Sequence, residues 1–167
     1  MSSTKPSTAL DNYKTLKKKG VYFLDAPVSG GTKGAESASL AIMVGGEKKI
    51  YKKNLKVLKM LGIPNYVGKP SSGQAAKLAN QIIVGITIGA VSEAIILSKK
   101  LGLKPTNVLK ALKGGWADSK ILQTHGLRMI KEDFKARGKV ASQLKDMENI
   151  LNTAKMNKIN LPLSMII

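Results

Sequence analysis

The sequence predicts an α/β segment over residues 1–70 followed by an all-α segment over residues 71–167. Three observations carry this. Short β-favouring runs bounded by glycine or aspartate recur up to Val67, the periodicity turns helical after Pro70, and no strand-like pattern returns before the last residues. With 43% hydrophobic residues and 6 prolines in 167, the chain can bury a core despite a formal charge of +18.

In the first segment, Ser7 or Thr8 can cap a helix through Tyr13, Leu16 and Lys17 that stops at Gly20. Val21-Tyr22-Phe23-Leu24 reads as a buried strand, and Ala26 to Gly34 as a turn-rich loop. Leu40 to Val44 is a second strand, stopped by Gly45-Gly46. Ile50 to Leu61 is an amphipathic helix with Ile50, Leu55, Leu58 and Leu61 inward, and Asn65 to Val67 a third short strand.

In the second segment a helix should run from an N-cap at Ser72 to Leu101, with Gly102 closing it, about 45 Å at 1.5 Å per residue. It is apolar nearly all round and so needs cover on most sides. Gly85 and Gly89 allow either a close helix approach or local packing. Further helices are predicted at Thr106–Lys113, Ser119–Lys131 and Lys139–Lys158, with breaks at Gly114-Gly115, Ala136 to Gly138 and Pro162. The apolar end, Ser164 to Ile167, reads as a helix cut short.

Composition excludes several classes of function. There is no cysteine, which removes disulfides, thiolate metal sites and cysteine nucleophiles, and one histidine with 10 carboxylates leaves little for a metal cage. The apolar run Ile82–Leu97 contains Thr87, Ser92 and Glu93 and is shorter than the ~20 residues of a spanning helix, so no membrane is expected. No secretory signal is visible before Leu24, and a cytoplasmic location is expected. Arg128 and Arg137 are the only arginines and aromatics are 4%, so the lysines read as a solvated surface and no specific nucleic-acid partner is expected.

Four constellations could carry chemistry. Ser29-Gly30-Gly31 follows a strand, and successive glycines let N–H groups converge on a small carboxylate; the same residues also make an ordinary turn. Lys77 and Asn80 lie three apart near the start of the long helix and share a face. Partial burial there would lower the amine's pKa and suit it to proton transfer, while the alternative is a lysine that snorkels to solvent. Lys145-Asp146 interrupts an apolar helix series, or is a surface pair. His125 has no acid beside it, and Trp116 reads as a packing residue.

Taken in order, Asp25-Ala26-Pro27-Val28-Ser29-Gly30-Gly31, Met43-Val44-Gly45-Gly46, Gly73-Gln74-Ala75-Ala76-Lys77-Leu78-Ala79-Asn80 and Lys145-Asp146-Met147 resemble the β-hydroxyacid dehydrogenase family. That family includes 3-hydroxyisobutyrate dehydrogenase, tartronate semialdehyde reductase and glyoxylate/succinic semialdehyde reductase. Gly114 to Ser119 and His125 to Met129 are similar to its semialdehyde reductase branch.

The resemblance implies the tail of a Rossmann-type domain followed by an all-α domain like the C-terminal one of 6-phosphogluconate dehydrogenase. It also implies an oxidoreductase that uses NAD or NADP on a small β-hydroxy acid or its semialdehyde. Ser29, Gly30 and Gly31 would hold the substrate carboxylate, Lys77 would be the acid/base and Asn80 would position the substrate. Lys145 would contact the cofactor, with Asp146 supporting it.

The chain departs from the family in having no G-x-G-x-x-G turn; Gly30-Gly31-x-x-Gly34 has the wrong spacing and precedes no clear helix. Met1 to Thr4 resembles the end of the family's nucleotide-binding half. The expectation is therefore a truncated or split chain, inactive alone, forming a homodimer or oligomer and pairing with a separate nucleotide-binding half. A non-catalytic dimerisation module is the alternative.

Overall fold

The computed structural model describes all 167 residues. Helix α1 (Pro6–Lys18) leads to the short strands β1 (Leu24–Asp25) and β2 (Val28–Ser29), helix α2 (Gly31–Glu36), strand β3 (Leu40–Gly46), helix α3 (Lys48–Lys59) and strand β4 (Gly62–Gly68). The long helix α4 (Ser72–Lys100) follows, then α5 (Pro105–Leu112), a π turn at Leu122–Gly126 continuing into α6 (Leu127–Ile130), α7 (Val140–Met156) and α8 (Pro162–Ile166).

The sheet is mixed. β1 and β2 both pair antiparallel with β3, whereas β4 lies parallel to β3 on its other edge after the α3 crossover. Pro27, fully buried, separates β1 from β2; it has no N–H to give, and its carbonyl accepts the Met43 N–H at 3.0 Å. Ile42 and Val44 are fully buried, with Ala26 and Leu58 beside them. Most of the outward surface of α3 is lysine.

Several sequence expectations change. Strand pairing starts only at Leu24, because β3 ends at Gly46 directly opposite it, and Val21 and Tyr22 are left exposed. The loop read from Ala26 to Gly34 contains both β2 and the start of α2, so Gly31 does open a helix. Helix α1 begins one residue before Ser7, at Pro6, whose fixed φ suits the first helical position; neither Ser7 nor Thr8 caps it. The helix expected over Ser119–Lys131 is interrupted by the π turn.

Helix α4 spans both helical clusters, Leu78 with Met147 and Ile150 near its start, and Val91 and Ile95 with Leu122 near its end. At Gly85 and Gly89 it is side chains, not a helix backbone, that approach: Gln143 and Met147 of α7 and the terminal Ile167. Cover is less complete than its composition calls for, since Ile83, Ile96 and Leu97 stay exposed. By length and mean hydropathy (1.8 over its most apolar window) α4 is long and apolar enough to cross a membrane, yet here it packs against β3, β4 and the other helices.

The start of α4 is tied to the sheet by Asp25. Its Ser71 N-cap sits at φ 77° and gives no side-chain cap. Instead the Asp25 carboxylate, 3% exposed, accepts the N–H groups of Ser71 and Gln74, each at 2.9 Å. Two of the helix's four orphan donors are thus satisfied by a strand over forty residues earlier, and the negative charge sits at the favourable end of the helix dipole. Gly45 and Gly73 permit this approach, since a Cβ on either would collide with Asp25 or with backbone. Asp25→Ala should cost about 2–4 kcal/mol, because it leaves buried N–H groups unpaired; urea unfolding checks this.

Candidate active site

Lys77 lies one turn into α4 and points back at the sheet. Its Nζ donates to the Val28 carbonyl at 2.9 Å, at the foot of the Ser29-Gly30-Gly31 bend. The amine and the bend, separate in the sequence, therefore meet. Gly30 and Gly31 sit at φ 144° and 62°, conformations that L side chains rarely adopt, and a Cβ on Gly30 would also press on Leu40. Gly31 opens α2, whose first-turn N–H groups have no partner within the helix. Both glycines are exposed and Ser29 is half-buried, so the bend offers donors to an arriving anion.

Asn80 does not reach Lys77 directly; its Nδ2 donates to Gln81 Oε1 at 2.8 Å. Gln81 in turn donates to Asp146 Oδ2 at 2.7 Å and to Gln143 Oε1 at 3.2 Å. Asp146, 6% exposed on α7, also takes Ser3 Oγ at 2.8 Å and Lys145 Nζ at 2.9 Å on its other oxygen. Lys145 donates as well to the Ser3 carbonyl at 3.0 Å.

The Ser2–Thr4 strap that reaches this carboxylate is fixed at its back by Gln74, which is buried. Gln74 Nε2 donates to Ser2 O at 2.8 Å and its Oε1 accepts the Thr4 N–H at 3.0 Å. Ser3, Gln74 and Gln81, together with Asp25, are site-building residues that sequence reasoning missed. The signal for two of them was present: Gln74, Lys77 and Gln81 are spaced three and four apart, a polar stripe along an apolar helix.

Burial lowers the Lys77 pKa from the ordinary lysine value; the nearby Asp146 carboxylate raises it and Lys145 lowers it again. Desolvation therefore dominates over the one attractive charge. His125 lies in the π turn, where burial depresses it, followed by the charge of Arg128. Trp116 is fully exposed between α5 and the π turn, so the packing role read from the sequence is not what it does here. A separate cavity of about 290 Å³, lined by Tyr13, Lys17, Tyr22, Phe23 and Glu47, does not include Lys77.

The lowered Lys77 pKa has a testable stability consequence. The buried ammonium destabilises the fold while it is protonated, and because the folded state releases the proton first, stability rises with pH between the lowered pKa and the unfolded value near 10.5. Relative to Lys77→Met, the wild type should gain thermal stability as pH is raised through that window. Melting temperatures of the two proteins, compared at matched pH, measure it.

Comparison with known proteins adds to this geometry. The protein-family model described as "NAD-binding of NADP-dependent 3-hydroxyisobutyrate dehydrogenase" matches residues 71–167, and "NAD binding domain of 6-phosphogluconate dehydrogenase" matches residues 1–85. The chain is 42% identical to 2-hydroxy-3-oxopropionate reductase of Escherichia coli (strain K12) over 163 residues, covering 97% of this chain and 56% of that protein. It is 37% identical to the probable 3-hydroxyisobutyrate dehydrogenase-like 2, mitochondrial, of Arabidopsis thaliana, covering 88% and 49%. Among solved structures, the Mycobacterium tuberculosis 3-hydroxyisobutyrate dehydrogenase superposes with a TM-score of 0.86 at 28% identity, covering 96% of this chain and 58% of that one. The chain thus spans about half the length of the curated relatives it matches. With both halves of the sequence matched and the bend, the lysine helix and the Lys-Asp helix gathered at one place, the chain belongs to the β-hydroxyacid dehydrogenase family.

Proposed function

We propose that this chain forms the catalytic face of an NAD(P)-dependent oxidoreductase that interconverts a small β-hydroxy acid and its semialdehyde, of the 3-hydroxyisobutyrate or 2-hydroxy-3-oxopropionate type. The observation that carries the reading is the half-buried Lys77 ammonium at the foot of the Ser29–Gly31 bend. In this reading Ser29, Gly30 and Gly31 hold the substrate carboxylate, which leaves the carbonyl carbon toward the long helix. Lys77 gives its proton to the carbonyl oxygen on reduction and takes it back from the alcohol on oxidation. Its lowered pKa supports both roles, since an ordinary lysine would release its proton less readily. Asn80 orients the substrate from one turn along the same face.

The nicotinamide cofactor, when bound, supplies or accepts the hydride. The donors present suit one end of it: Lys145 is half exposed at the strap, with its charge balanced by Asp146, and would contact the cofactor there. No Gly-rich pyrophosphate turn occurs in these 167 residues, so tight binding calls for a nucleotide-binding half in addition to them. The exposed Ile83, Ile96 and Leu97 on α4 support a homodimer or higher oligomer that covers this helix. A cytoplasmic setting goes with this reading.

The test is to supply the nucleotide-binding half of a relative, fused ahead of Met1 or added separately, and to follow NAD(P)H absorbance. Tartronate semialdehyde, succinic semialdehyde and 3-hydroxyisobutyrate are the substrates to try. Turnover should appear with one of them and fall by about 10²–10⁴-fold in Lys77→Ala. Absence of turnover with all three, in an assembly shown to bind the dinucleotide, would favour a non-catalytic dimerisation module.

A further inference from the structure

The Asp146 carboxylate lies close enough to act on the charge of Lys77, yet the two form no ion pair. All of its near contacts are taken by other donors. Oδ1 accepts Ser3 Oγ and Lys145 Nζ, and Oδ2 accepts Gln81 Nε2 at 2.7 Å, the shortest of the three. Gln81 is itself locked, since its Oε1 accepts Asn80 Nδ2 and its amide also donates to Gln143. Ser3 is locked from behind, because Gln74 grips the backbone on both sides of it.

We propose that Gln81 and Ser3 are positioning residues that hold the Asp146 carboxylate off Lys77, leaving the ammonium free to face the Ser29–Gly31 bend. The functional meaning rests on the reading of Lys77 as the acid/base; the physical claim does not. A carboxylate buried to this extent must keep its acceptor sites filled. If Gln81 is removed, Oδ2 loses its partner, and the groups left to fill it are the unpaired Gln143 Nε2 and Lys77, one turn away from Gln81 on the same helix, a cation bonded to a neutral carbonyl. Pairing would then draw the amine away from the bend and tighten its hold on its proton. The charges acting on Lys77 are Asp146 and Lys145, both from α7; β2 contributes the neutral Val28 carbonyl.

The experiment titrates Lys77 in the intact chain by NMR of its side-chain ¹³Cε, assigned by loss of the signal in Lys77→Arg, so no cofactor or turnover is required. Gln81→Met, which keeps the volume, should move the Lys77 midpoint upward by about one pH unit. Asp146→Asn should move it downward, and Gln81→Met added to Asp146→Asn should then have no further effect. Should Gln81→Met fail to fold, the strap gives the same answer: Ser3→Ala should move the midpoint upward and Ser3→Thr, which keeps the hydroxyl, should not. An unchanged midpoint in both Gln81→Met and Ser3→Ala, or an upward shift that persists in the Asp146→Asn background, would overturn the proposal. Loss of the catalytic reading would show differently, as turnover retained by Lys77→Ala in the reconstituted enzyme with the NMR coupling intact.

Discussion

The hydrogen bonds from the start of α4 to Asp25 join the long helix to the sheet beside the candidate site. They set where the long helix leaves the sheet, and Lys77 is carried only one turn further on. Because a helix is stiff, anchoring its first turn at the end of β1 leaves the amine little choice but to meet β2, which follows β1 after two residues. The bend and the lysine are brought together by this join and not by any contact between them alone. The residues that allow it are small for a reason: Gly45 and Gly73 leave the space into which the carboxylate and the helix backbone close.

A lysine placed in this way is destabilised as a cation, and the surrounding residues limit that cost without cancelling it. Asp146 offers attraction at a distance while its own acceptor sites are occupied by Ser3, Lys145 and Gln81. A direct ion pair would have removed more of the desolvation penalty, but it would also have fixed the proton. The arrangement leaves an ammonium that burial disfavours and that is bonded to the neutral Val28 carbonyl. Gln81 and Gln74 are neutral groups that fill hydrogen bonds, to Asp146 and to the Ser2–Thr4 backbone, without adding charge.

Much of this was legible in the sequence, and what was not has physical causes. The long helix, β3, α3 and the change of architecture after Pro70 follow from periodicity and glycine punctuation, and their observed bounds lie close to those expected. The Val21–Leu24 run was misread because β propensity reports fitness for a sheet, whereas pairing depends on where the neighbouring strand ends, at Gly46. β2 was hidden because Pro27 and Gly30-Gly31 are turn residues by composition, and only β3 makes Val28 and Ser29 a strand. The members of the candidate site were visible as motifs, and Gln74 and Gln81 as a polar stripe beside Lys77, but Asp25 and Ser3 were not visible as builders of it. Each acts on residues 46 or more positions away, beyond the reach of any local pattern.

Some of the exposed apolar residues belong to elements that build the site, or lead into them. Val21 and Tyr22, the latter 67% exposed, lead directly into β1 and hence to Asp25. Ile83 lies on α4 two residues beyond Gln81 and is 66% exposed. Apolar groups left in water on the same short segments that place Lys77 mean that covering them stabilises those segments.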